Sequence, residues 1–104
     1  MNLGELIKFL ESYPPEQEIK FGFANPHSYR GYYHCLAFEL EVETSIGKML
    51  SEAKACKYAT FMGYKGGAYL MTPETDVYLS HYGSSRLDDE SIKEDTLRQL
   101  FSIS

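Results

Sequence analysis

The apolar residues of this 104-residue chain do not keep one period, and that change of period restricts the fold more than any figure of composition. Leu3, Leu6, Ile7, Leu10 and Tyr13 recur at helical spacing and leave Glu5, Lys8 and Glu11 to water. Asn2 and Glu5 stand at the positions of a capping box, so a helix is expected from Leu3, and Pro14-Pro15 ends it near Tyr13. From Glu18 the pattern alternates. Ile19, Phe21 and Phe23 share one face of a strand expected to stop at Asn25-Pro26. Residues 27–31 then read as a polar loop, and the apolar run 32–40 reads as a second strand, so the pair forms a hairpin with a long loop.

Helical spacing returns with Ile46, Met49, Leu50, Ala53 and Cys56, a stripe about three turns long that Thr44 is placed to cap. Residues 58–64 and 68–72 are β-rich and flank the turn sequence Lys65-Gly66-Gly67, which predicts a second hairpin closed by Pro73. Residues 76–82 alternate Val77, Leu79 and His81 against Tyr78, Ser80 and Tyr82, a fifth strand leaving at Gly83. Ser91-Ile92-Lys93-Glu94 has the form of another capping box and opens a terminal helix carrying Leu97, Leu100 and Phe101. The order αββαβββα predicts one α+β domain, an antiparallel sheet of about five strands packed with two or three helices. A chain of this length buries about 65% of its unfolded surface, enough for a core without staples.

Fifteen acids against ten Lys and Arg give a formal charge of −5, which argues against a protein that coats duplex nucleic acid or an anionic membrane. The apolar runs are far shorter than the roughly 20 residues of a spanning helix, and the N-terminus lacks the basic-then-apolar order of a signal peptide, so a cytoplasmic location is expected. Cys35 and Cys56 form no C-x-x-C pair and are expected to be reduced and buried. Zinc is not expected, because the spacings of His27, His34, Cys35, Cys56 and His81 match no finger or ribbon.

Within this acidic chain two windows are free of carboxylates. Residues 19–38 hold Lys20, His27, Arg30 and His34, and residues 53–73, apart from the acids on either side, hold Lys54, Lys57 and Lys65. The first centres on Pro26-His27-Ser28-Tyr29-Arg30-Gly31-Tyr32-Tyr33. An arginine fork, a serine hydroxyl and aromatic faces are what a phosphorylated, base-containing ligand needs. The second centres on Gly63-Tyr64-Lys65-Gly66-Gly67, where glycines let amides approach an anion beside a lysine and an aromatic ring. It is not a Walker loop, since the G-x-x-x-x-G-K spacing is absent. The candidate ligand-binding residues are therefore His27, Ser28, Tyr29, Arg30, Gly31, Tyr32, Tyr64, Lys65, Gly66 and Gly67. The plainer alternative is that Arg30 caps a loop by stacking on its tyrosines and that Gly66-Gly67 only meets the backbone needs of a turn. Tyr13, Tyr58 and Tyr78 are expected to be structural. Catalysis has less in its favour: no G-x-S-x-G motif is present, and a phosphodiesterase would rest on His27 as acid or base with Arg30 and Lys65 stabilising charge.

The octapeptide from Pro26 to Tyr33, the segment Leu36-Ala37-Phe38-Glu39, the turn Gly63-Tyr64-Lys65-Gly66-Gly67 and Thr75-Asp76-Val77-Tyr78 together resemble a family of small bacteriophage and prophage proteins of unassigned activity. The resemblance spans nearly the whole chain. It implies action in a bacterial host's cytoplasm, and accessory proteins of that kind are often inhibitors of host defence. Two mechanisms suit the residues: sequestration of a nucleotide-like signal, without catalysis or cofactor, or direct blockade of a host protein, with residues 88–95 mimicking nucleic acid. A homo-oligomer is expected, since a chain this small encloses a pocket best at a subunit interface.

Overall fold

In the computed structural model, which describes residues 1–29, 32–63, 66–80 and 90–102, the capping box forms as the sequence predicts. Asn2 Oδ1 accepts from the Glu5 amide and Glu5 Oε1 accepts from the Asn2 amide, both at 2.9 Å, and helix α1 runs Leu3–Glu11. The amides of Leu3 and Gly4 donate to the carbonyls of Thr75 and Pro73 at 2.8 Å, which ties the start of the helix to the chain entering the fifth strand. Leu3, Leu6 and Leu10 are fully buried on the inner face.

Strand β1 runs Glu18–Tyr29 and pairs antiparallel with β2, Tyr32–Ser45. The expected stop at Asn25-Pro26 and the long polar loop after it are both corrected. The register skips from Ala24↔Glu39 to His27↔Ala37, so Asn25 and Pro26 form a bulge opposite Phe38 and the strand continues. Two properties allow this: β1 is the edge of its sheet, where a missing proline N–H breaks no ladder bond, and Asn25 takes the left-handed φ of 54° that asparagine tolerates. His27, Ser28 and Tyr29 therefore lie on a strand.

Helix α2, Ile46–Cys56, is capped by Ser45, whose Oγ accepts from the Lys48 amide at 3.2 Å, one residue beyond the expected Thr44. Ile46, Met49, Ala53 and Cys56 are buried as the stripe predicts, and Leu50 is half-buried at its margin. Gly22 of β1 lets this helix approach: a Cβ there would stand 2.6 Å from Thr44 Cγ2 and 2.7 Å from Met49 Sδ. Strands β3, Thr60–Met62, and β4, Ala68–Leu70, form a separate two-stranded sheet.

Strand β5, Val77–Ser80, pairs with β2 in parallel, Leu36↔Val77 to Glu39↔Ser80. The main sheet is thus mixed, in the order β1-β2-β5-β6, rather than wholly antiparallel. The chain between β2 and β5, carrying α2 and the β3–β4 hairpin, is the long crossover that parallel neighbours require. Ser91 lies in the short β6, Glu90–Ser91, opposite Tyr78, and α3 starts only at Glu94 and runs to Ser102, so pairing with β5 displaces the expected cap at Ser91. The class and the order of helices and long strands are those of an α+β fold. The expected positions of His81, Tyr82 and Gly83 lie outside the described residues.

Side chains alternate across the centre of the sheet and divide the interior in two. Leu36, Phe38, Val77 and Leu79 enter the main core under the helices, whereas Cys35, Ala37 and Tyr78 join Tyr29 in a small cluster on the other face.

Candidate ligand-binding site

The smaller cluster is the floor of the first chain reversal. The register changes again between Ser28↔Leu36 and Tyr29↔Tyr32, so β2 places Tyr33, His34 and Cys35 where β1 has no residue. Ser28 closes this irregularity: it is buried, and its Oγ donates to the Tyr33 carbonyl at 2.6 Å. The hydroxyl proton expected to serve a ligand is used inside the fold. Three rings then form a stack. Tyr29 lies between Tyr78, with centroids 4.6 Å apart and planes 14° from parallel, and Tyr32, at 5.8 Å and 19°. Tyr29 is buried, Tyr78 is half-buried, and Tyr32 is 52% exposed. Burial, reinforced by Cys35, Asp76 and Tyr32, raises the Tyr78 phenol above its ordinary value and keeps it a donor. His27 is half-buried on the same strand with Nδ1 3.0 Å from the Asn25 carbonyl, a contact that requires the proton on that nitrogen.

The second reversal is a glycine turn. The Gly66 amide donates to the Gly63 carbonyl and the Gly63 amide to the Gly67 carbonyl, both at 2.9 Å, while Gly66 and Gly67 take φ of +94° and +88°. The left-handed values explain the glycine pair as a turn requirement. The Gly66 amide is committed to that turn.

The flanks of the two reversals meet. Tyr33, after the first, packs on Tyr69, after the second, with centroids 5.6 Å apart and planes 39° apart. Gly63 makes the approach possible, because a Cβ there would stand 2.9 Å from Tyr69 Cε2 and 3.2 Å from Tyr33 Cγ. Arg30, Gly31, Tyr64 and Lys65, the residues between these flanks, lie outside the described residues. Tyr33, Tyr69 and Tyr78 were not among the expected site residues; their regular positions beside glycine and in alternating strands were the only signal in the sequence. Of the tyrosines expected to be structural, Tyr13 packs on Phe9 and Phe101, but Tyr58 is 64% exposed.

Both thiols are buried. Burial, with Asp76 adding to it, raises the Cys35 thiol, and burial with the Glu52 carboxylate pushes Cys56 from 9.0 up to about 12. Between those two values the unfolded chain has released a proton that the native chain keeps. Stability from this group is therefore complete below pH 9.0 and declines as pH rises toward about 12. Melting temperatures taken across that window should fall less steeply for Cys56→Ala than for the parent; equal slopes would exclude the thiol as the cause.

Among the described residues no three His, Cys, Asp or Glu side chains come together as metal ligands, and no helix is long and apolar enough to cross a membrane. Comparison with family models, with curated proteins and with solved structures gives no match to this chain. The fold and the two reversals define an α+β protein with an aromatic surface at one end of its longest hairpin.

Proposed function

We propose that this chain is a non-enzymatic binding protein that sequesters a phosphorylated, base-containing small molecule, in the manner of a phage-type accessory protein acting in a bacterial cytoplasm. The observation that carries the reading is the packing of Tyr33 on Tyr69 and Gly63, which puts the flanks of both basic reversals side by side within one chain. A nucleotide needs cationic groups for phosphate and a ring face for its base. Arg30 and Lys65 supply the former in this reading, and one of the rings of Tyr29, Tyr32 and Tyr64 supplies the latter. Binding without turnover accords with thiols that burial holds protonated.

Calorimetry against cyclic dinucleotides, cyclic ADP-ribose isomers and mononucleotides, followed by chromatography of the ligand, tests it. One class should bind tightly and be recovered intact. Altered ligand would make the protein an enzyme, with His27 the first residue to test, and no binding at all would remove the reading.

A second reading, an inhibitor that binds a host protein, is favoured by one surface. Met62, 68% exposed, and Leu70, 57% exposed, lie with Ala68 and Thr60 on the outer side of the β3–β4 sheet, while Phe61 and Tyr69 pack inward. A single stoichiometric partner recovered from host lysate, together with no small-molecule binding, would put this reading first.

A further inference from the structure

Among the described residues the three most exposed large apolar side chains are Met62, Tyr58 and Leu70, and all three belong to the β3–β4 sheet or to its base. Single exposed apolar residues are ordinary, but a gathered set marks a surface that something covers. The strand pairs set Thr60 opposite Leu70 and Met62 opposite Ala68 on the outer side, and all four are exposed. Residues 58–63 and 66–72 contain no Asp, Glu, Lys, Arg or His, although 24% of the chain is charged and its formal charge is −5. Two acidic copies can meet on such a face without opposing carboxylates.

Tyr58 adds a backbone cost at the same place. It takes φ of 63°, in the left-handed region, at the exit of α2, where a helix usually has glycine. Its amide donates to the Met71 carbonyl at 2.7 Å, and the Ala59 amide donates to the Cys56 carbonyl at 3.0 Å, so the strained turn is fixed while the ring stays exposed.

The outer face is complementary to itself. Its large residues, Met62 and Leu70, stand on one diagonal and its small ones, Thr60 and Ala68, on the other. A two-fold axis lying between two such faces, along the strands, sets Met62 over the other copy's Ala68 and Leu70 over its Thr60. The same axis exchanges the two sides of the hairpin base. Lys57 precedes the β3 side and Glu74 follows the β4 side; both are exposed, and among the described residues neither has an ion-pair partner, so each lysine comes to the side of the other copy's glutamate. With Tyr58 the face exposes about 550 Å², so two copies bury about 1,100 Å², just above the roughly 1,000 Å² that a specific interface needs.

We propose that the outer face of the β3–β4 sheet is the interface of a symmetric homodimer, in which a second copy of this chain packs on Thr60, Met62, Ala68 and Leu70, with Tyr58 at the rim and Lys57 paired with Glu74 across the axis. The contact uses the whole face on both copies, so assembly stops at two. It does not rest on the nucleotide reading, since the face holds none of the residues assigned to the ligand, and it occupies the surface that the second reading gives to a host protein.

Sedimentation equilibrium of the full chain from about 5 to 500 μM, with amide NMR of the same samples, tests the proposal. The mass should rise from that of one chain toward that of two, with a dissociation constant in the micromolar range, and the amides of Thr60, Met62, Ala68 and Leu70 should shift along the same curve. A chain that stays monomeric at every concentration, including one that instead takes up a host protein on this face, would overturn it, as would a dimer whose shifts fall elsewhere. Met62→Lys should stay monomeric throughout, because association would bury an unpaired charge, and at low concentration it should melt within about 4 °C of the parent. Leu70→Lys repeats the test from the neighbouring strand should the first variant not fold. Association of either folded variant as tight as the parent's counts against the interface. Lys57→Glu turns both rim pairs into like charges and should weaken association about tenfold, and adding Glu74→Lys to it should restore the parent's affinity. A double exchange that restores nothing contradicts the two-fold arrangement.

Discussion

Phe38→Ala is expected to lower the free energy of unfolding by about 3–5 kcal/mol, as truncating a fully buried aromatic ring in a packed core does. Its position makes the upper half of that range the expected one. Phe38 lies on β2, which is paired on both sides, with Leu79 as its neighbour on β5 and the Asn25-Pro26 bulge opposite on β1. Its ring meets Phe23 edge-on at a centroid distance of 4.8 Å, so the substitution removes an aromatic pair as well as buried area. A domain of this size is stable by roughly 5–15 kcal/mol, and about a quarter or more of that would be lost. Urea unfolding followed by circular dichroism measures it. A loss below about 1 kcal/mol would mean that the ring is not the keystone of the β1–β2–β5 contact.

Arg30→Ala is expected to abolish nucleotide retention while leaving the melting temperature within about 4 °C of the parent. Truncating one partner of a charge-assisted contact to phosphate costs about 2–5 kcal/mol of binding, which is a loss of roughly thirtyfold or more. The melt is expected to change little because a single surface charge contributes little to folding, while Ser28 closes the irregular register and Tyr29 stacks on Tyr78. Equilibrium dialysis of the purified variant with the bound nucleotide reads the affinity, and a thermal melt of the same sample reads the fold. Retention by the variant removes Arg30 from the site, and unfolding makes it a structural residue.

The parts of the fold that were legible in the sequence are those decided by neighbours a few positions apart. The Asn2–Glu5 box, the stop at Pro14, the α2 stripe and the Gly66-Gly67 turn are all local decisions, and all appear where the residues predict them. The departures were decided at long range. Pro26 ends a strand unless a bulge at a sheet edge absorbs it, and only the assembled order β1-β2-β5-β6 shows that β1 is that edge. Ser91 is a sound cap until β5 offers it a ladder. The parallel pairing of β2 with β5 leaves no mark on either strand, because Val77 and Leu79 alternate in the same way with either orientation. Ser28 had the right chemistry for a ligand, but its proton is spent on Tyr33. Tyr33, Tyr69 and Tyr78 entered the site through contacts between distant segments, which periodicity does not report.

In the proposed function both reversals serve one ligand. An NMR titration of the full chain with the nucleotide that calorimetry selects should move the amides of Tyr32 and Tyr33 and those of Gly63, Gly66 and Gly67 along a single saturation curve. Shifts confined to one reversal, or two sets that saturate at different concentrations, would contradict it.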